Sequence, residues 1–150
     1  MFFDRHGWIH LSNNENKVEQ QFMNDIAAPI ENDTVVSYIE MINVYMKTAP
    51  YSQQDFDMKT ICNDLKLPMY HVEFVFRYYN QYSFPEFRNL LRVQHVLRDF
   101  ESGSSTNYTM EAIGQKAGFS SRSSFFRVFK AVTGKTPKHV FESLESKNIK

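Results

Sequence analysis

Arg122, Ser123, Phe126, Arg127 and Lys130 fall at spacings that put them on one side of a helix over about residues 121–133. Phe125, Val128, Phe129 and Val132 fall on the other. A helix sorted in this way buries its Phe/Val seam and turns guanidinium, hydroxyl and ammonium groups outward. Those groups suit a polyanion with readable edges. Arginine pairs bidentately with guanine, while serine and lysine reach phosphates or base edges. An earlier segment, about residues 69–80, sorts similarly. Val72, Val75, Phe76 and Tyr79 share one side, and Met69, Tyr70, Glu73, Phe74 and Arg77 the other. There Glu73 can accept from cytosine N4 and Phe74 can touch a thymine methyl, but neither attracts phosphate.

The two segments are related by an internal repeat. At an offset of 53, Val72, Val75, Phe76, Arg77 and Tyr79 correspond to Phe125, Val128, Phe129, Lys130 and Val132, and Ser83 and Phe87 to Thr136 and Val140. Upstream, Ile61 and Cys62 match Ile113 and Gly114 at an offset of 52, so one turn is a residue longer. Each unit reads as a short helix, a tight turn, a longer amphipathic helix and a capped helix. The small residue in the short helix, Cys62 or Gly114, lets the second helix cross closely, which a helix-turn-helix requires.

The positioning elements follow from turn and cap signals. Apolar residues at Val35, Ile39, Ile42 and Met46 mark one face of a helix after Asp33, ending near Ala49-Pro50. Asp57 caps a helix from Met58 to about Leu65, and Leu67-Pro68 opens the next. Ser83 and Glu86 have capping-box spacing for a longer helix to about Phe100, with Phe87, Leu90, Leu91 and Leu97 inward. Residues 102–107 form a polar linker. Thr109 caps a helix to about Lys116, and Ala117-Gly118-Phe119 turns the chain. Gly134 ends the following helix, and Thr136-Pro137 opens the last. No stretch alternates as a strand does. The expected class is all-α, with about seven helices plus an N-terminal extension. The expected domains are the extension at 1–33, a first subdomain at 34–103 with its linker helix at about 84–100, and a second at 104–150.

Composition narrows the function classes. The 150 residues carry no net charge, yet the charge is polarised. Residues 1–57 hold nine acids and three bases, 58–107 five acids and six bases, and 108–150 three acids and eight bases. Such a chain can place one basic face on DNA although its overall field is weak. Cys62 is the sole cysteine, which excludes an internal disulfide and a cysteine-rich zinc site. The sequence has no apolar run of membrane-spanning length and no secretory signal, so a cytoplasmic protein without a membrane segment is expected. Gly134-Lys135-Thr136 resembles the end of a phosphate-binding loop, but Phe129 stands where that loop needs glycine. His6 and His10 lack a third metal ligand, and Ser120–124 lack a positioned base. Neither an enzyme nor a metal or other cofactor is expected.

The run from Tyr108 to Pro137 resembles the signature of AraC/XylS-type transcription regulators, with Gly118-Phe119, the serine-rich turn 121–124, Phe125 to Lys130 and Gly134 to Pro137 at matching places. The first unit matches more loosely, and the likeness covers about residues 33–142. It implies two homeodomain-like helix-turn-helix subdomains joined by a long linker helix, their reading helices entering successive major grooves about one turn apart. By position it implies Arg122, Ser123, Phe126 and Arg127 as base readers, with Tyr70, Glu73 and Phe74 as first-unit counterparts. The implied function is sequence-specific regulation of transcription in a bacterium. Double-stranded DNA and RNA polymerase are the implied partners, and a monomer or weak dimer is expected. This chain departs from the pattern at Gln81 and Lys66, where glycine is usual, at Pro68, where serine caps, and at Gly114, where alanine is usual. The alternative is a protein-interaction module that kept this fold and lost or weakened its DNA reading, which the acidic first third and Glu73/Phe74 motivate.

Overall fold

The computed structural model describes residues 30–80 and 82–148. Almost all of the expected N-terminal extension, with His6 and His10, lies outside the described residues, as does Gln81. The described residues form an all-α fold of seven helices and no strand, with one 3-10 turn at Pro50–Ser52. The helices are α1 (Asn32–Met46), α2 (Met58–Leu65), α3 (Met69–Tyr78), α4 (Phe84–Glu101), α5 (Met110–Lys116), α6 (Arg122–Thr133) and α7 (Pro137–Asn148).

Side-chain caps decide where most of these helices begin. Thr60 N–H donates to Asp57 Oδ1 at 2.8 Å, and Asp57 N–H returns to Thr60 Oγ1, closing a capping box on α2. The backbone N–H of Thr60 also holds the Asp57 carboxyl below its ordinary range. Thr109 accepts from Ala112 N–H and Ser121 from Ser124 N–H, each at 3.1 Å. Thr136 accepts from His139 N–H at 3.3 Å. Two starts lack such a cap. Helix α1 begins after Glu31, two residues ahead of expectation, which leaves Asp33 in the first turn where its charge still faces the positive helix end. Helix α3 begins after Pro68, which has no side chain to accept a hydrogen bond.

The chain packs as two units that do not follow chain order. The first takes residues 30–49 and Asp57–Pro85. Its interior holds the expected stripe of α1, Val35, Ile39, Ile42 and Met46, with Ile61, Leu67, Val72, Val75 and Phe76 also buried. The second takes Pro50–Phe56 and everything from Glu86 onward. Helix α4, expected to close the first half, thus gives all but its first two residues to the second unit. The physical reason is its inner face. Val93, Val96 and Phe100 pack into one core with Ile113, Ala117, Phe119, Phe125, Val128 and Phe129.

Arg92 lies on that inner face and is only 4% exposed. Its Nε donates to the Tyr51 carbonyl at 2.7 Å, and one terminal nitrogen donates to the carbonyls of Gln53 and Gln54 at 2.8 and 3.3 Å. Burial, with Arg88 nearby, pushes its pKa down to about 10, so it is cationic at neutral pH. The guanidinium also lies over the Phe119 ring, 5.7 Å from its centroid. Gly118 completes the junction at φ +99°. A Cβ there would meet the Tyr51 carbonyl oxygen at 2.7 Å, Arg92 Nε at 2.8 Å and the Ser52 carbonyl oxygen at 2.9 Å.

The repeat places Lys66 where the second unit has Gly118. Lys66 is also left-handed, at φ 57°, but it is exposed. A left-handed non-glycine residue costs about 1–2 kcal/mol. Lys66→Gly should therefore stabilise the chain, by up to about 1 kcal/mol after glycine's larger unfolded-state entropy. Gly118→Ala should destabilise it by more than about 2 kcal/mol, because crowding adds to strain. Urea unfolding of both variants checks the pair, and a Gly118→Ala loss no larger than the strain alone, about 1–2 kcal/mol, would refute the crowding argument.

Candidate nucleic-acid interface

Helix α6 is held at both ends. Ser121 caps its start, and Gly134, left-handed at φ 79°, closes its end by donating its N–H to the Lys130 carbonyl at 2.8 Å. Thr133 Oγ1 donates to the Phe129 carbonyl and accepts from Lys135 N–H, which fixes the exit of the chain. One face is closed into the core, where Phe125 and Phe129 are fully buried and Val128 nearly so. Val132, expected in the same seam, is half-buried at its edge.

The closeness of that packing depends on Gly114 in α5. A Cβ on Gly114 would lie 2.8 Å from two ring carbons of Phe125 and 3.0 Å from its Cβ. Glycine at this place therefore lets a phenylalanine, rather than a smaller side chain, fill the crossing of α5 and α6. The sequence expectation that a small residue allows a close crossing holds here in atomic terms.

The outer face of α6 carries the other set. Arg122, Ser123, Arg127 and Lys130 are exposed and Phe126 is half-buried. The helix contains no acidic residue, and among the described residues no ion pair is seen at Arg122, Arg127 or Lys130. Arg122 lies over the Phe126 ring, 4.7 Å from its centroid. Further exposed lysines in the same unit, Lys116, Lys135 and Lys138, were not picked out from the sequence. They sit beside helix ends, where no periodic pattern marks them. Lys138 is partnered by Glu142 at 3.7 Å.

Helix α3 differs. Tyr70, Glu73 and Arg77 are exposed, as expected. Met69 is half-buried, with its Sδ 3.8 Å from Cys62 Sγ. Phe74 is corrected outright: expected on the outer face, it is only 8% exposed. Its ring lies 4.7 Å from that of Tyr78, 6.1 Å from Tyr79 and 6.5 Å from Tyr70, so neighbouring aromatics cover it. A phenyl group at the margin of an amphipathic helix gains about 1.5–3 kcal/mol by turning inward. Aromatic neighbours at 70, 78 and 79 make that turn available, and this cluster was the signal that helical periodicity passed over. His71 joins it, within 3.2 Å of the Tyr38 hydroxyl.

A family model described as a helix-turn-helix domain matches residues 61–143. The chain belongs to the AraC-type helix-turn-helix family. A similar solved structure is the C-terminal domain of AraT, a response regulator from Geobacillus stearothermophilus, with 17% identity and a TM-score of 0.55 over 63% of this chain and 76% of that one. At that identity the likeness speaks for the fold. Comparison with the curated proteins gives no match. Membership in the AraC-type family supports a DNA-binding transcription regulator.

In the interior of an exposed helix, Gly→Ala stabilises by about 1 kcal/mol. In this AraC-type domain Gly114→Ala should do the opposite, lowering stability by about 1–3 kcal/mol because the new methyl meets a fully buried ring. Thermal unfolding decides the sign, and an unchanged or raised midpoint would show that Phe125 yields freely.

Proposed function

We propose that this chain binds specific duplex DNA sequences and regulates transcription, with α6 as its principal reading helix in a major groove. The observation that carries the reading is the outer face of α6, which presents Arg122, Ser123, Arg127 and Lys130 without an acid. The opposite face is locked in the core. Bases at the start and middle of a recognition helix reach base edges, while those further along meet phosphates. Arg127 is accordingly assigned to base reading, Ser123 to a base edge or phosphate, and Lys130 to phosphate. In the first unit Tyr70 and Glu73 are assigned weaker base contacts and Arg77 a phosphate. Met69 and Phe74 are assigned none. Recruitment of RNA polymerase belongs to the same reading, as does action as a monomer or weak dimer.

A second reading is favoured by one observation. The first-unit position matching Arg127 is Phe74, which is buried, and the position matching Phe126 is Glu73, which repels phosphate. On that reading α3 contacts another protein and DNA affinity resides in the second unit alone.

Arg127→Ala should weaken binding to a selected operator by about 1–3 kcal/mol, with unfolding unchanged because the side chain is exposed. Lys130→Ala should weaken all sequences alike and reduce the salt slope by about one. Gel-shift titrations at several salt concentrations measure both. Absence of DNA affinity even at low salt would end the proposal, whereas operator binding indifferent to Tyr70→Ala and Glu73→Ala would favour the second reading for α3.

A further inference from the structure

We infer that Arg122 and Phe126 act together as one reader, specific for a guanine with a thymine in the adjacent base pair; the inference rests on the DNA-binding reading above. Arg122 is the first residue of α6 and is exposed, and Phe126 follows one helical turn later. The guanidinium carbon lies 4.7 Å from the centroid of the Phe126 ring. That ring is itself held, since it packs against the second-unit core and meets Phe125 edge-on at 5.6 Å. The core therefore fixes the ring, and the ring fixes the guanidinium before any DNA arrives. An arginine restrained in this way loses less freedom on binding than a free surface side chain.

The geometry then selects a base step. Guanine is read by a guanidinium lying in the plane of the base, donating to O6 and N7. A ring beside the guanidinium is not a hydrogen-bond acceptor in its plane and so leaves N–H groups available, and among the described residues no carboxylate is paired with them. When the guanidinium lies in the guanine plane, a ring whose centroid is 4.7 Å from its carbon falls nearest the level of the neighbouring pair, one rise of about 3.4 Å away. A phenyl ring neither donates nor accepts a hydrogen bond. Against an exposed amino group or carbonyl oxygen it would bury a polar atom without a partner, whereas against the thymine C5-methyl it gains apolar contact. The repeat places Met69 and Glu73 at the corresponding positions of the first unit. The step should accordingly be required in the half-site read by α6 alone.

The test uses the full chain. Sequences are selected from random duplex DNA, and the winner is compared with a duplex carrying uracil for that thymine and one carrying 7-deazaguanine for that guanine. The expected motif contains the guanine with its neighbouring thymine. Removing the methyl should weaken wild-type binding about fourfold, and removing N7 roughly tenfold or more. In Phe126→Ala the thymine-to-uracil ratio should fall to one, and in Arg122→Ala the 7-deazaguanine effect should vanish. A Phe126 that only supports the fold would lower all affinities alike and leave the ratio unchanged, which would overturn the pairing. The wild-type chain on the two duplexes tests the methyl contact even where the Phe126 variant fails to fold. An enriched motif without this step, or equal binding to thymine and uracil, would overturn the inference while leaving sequence-specific binding intact. No enrichment of any sequence would overturn both.

Discussion

A guanidinium taken out of water forfeits several kcal/mol of hydration unless its N–H groups find acceptors. In the second unit, carbonyls supply the acceptors for Arg92. Three separate stretches of backbone meet at one cation: the inner face of α4, the segment 50–56, and the turn between α5 and α6 at Gly118. Arg92 gathers the carbonyls of Tyr51, Gln53 and Gln54, of which that of Gln53 also accepts from Phe56 N–H at 3.2 Å. The arrangement tolerates no Cβ at residue 118, because the turn passes within contact of both the arginine and the carbonyl it binds. The entry to α6 is therefore held by a buried polar junction on one side and by the Gly114–Phe125 contact on the other.

Those two constraints explain why the repeats have diverged as they have. At the turn, the second unit is crowded and uses glycine, while the first is open and carries Lys66 in the same left-handed conformation at some cost. In the short helix, Gly114 faces Phe125, while the Cys62 sulfur lies 3.8 Å from that of Met69. At the start of the longer helix, Ser121 supplies a cap that Pro68 cannot. These differences leave the first unit less tightly specified around α3. The aromatic cluster of Tyr38, Tyr70, His71, Phe74, Tyr78 and Tyr79 takes up that slack by burying Phe74, which stands where the second unit has Arg127.

Most of the helices were legible in the sequence because their ends are written in local chemistry. Asp57, Thr109, Ser121, Gly134 and Thr136 act within a few residues of themselves, so a cap or stop is visible without tertiary knowledge. The α6 face was legible for the same reason, since a period of 3.6 separates Phe125, Val128 and Phe129 from Arg122, Arg127 and Lys130. What was not legible depended on chain segments far apart. Arg92 follows Leu90-Leu91 and precedes Val93, a charged residue within an apolar run, but its acceptors lie some forty residues earlier. The assignment of Pro50–Phe56 to the second unit follows from that contact and from no local pattern. Phe74 was misplaced because periodicity sets an angle around the helix and not a depth, and a residue at the margin is decided by its neighbours.

The absence of net charge is not an obstacle to a DNA-binding reading once the charges are sorted by unit. Within residues 30–49 and 57–85 there are six acids and four bases, and within 50–56 and 86–148 seven acids and ten bases. Screening cuts the range of a surface charge to about 8 Å at physiological ionic strength. The local field at the outer face of α6 is therefore set chiefly by the charges nearest it, and the helix's own residues include no acid. What that face needs is local excess and fixed geometry. The excess comes from Arg122, Arg127 and Lys130, and the geometry from a seam in which Phe125 and Phe129 are wholly out of water. An arginine on such a helix can be exposed and still be positioned, because its backbone has no freedom to spend and, at Arg122, an aromatic ring restrains the side chain as well.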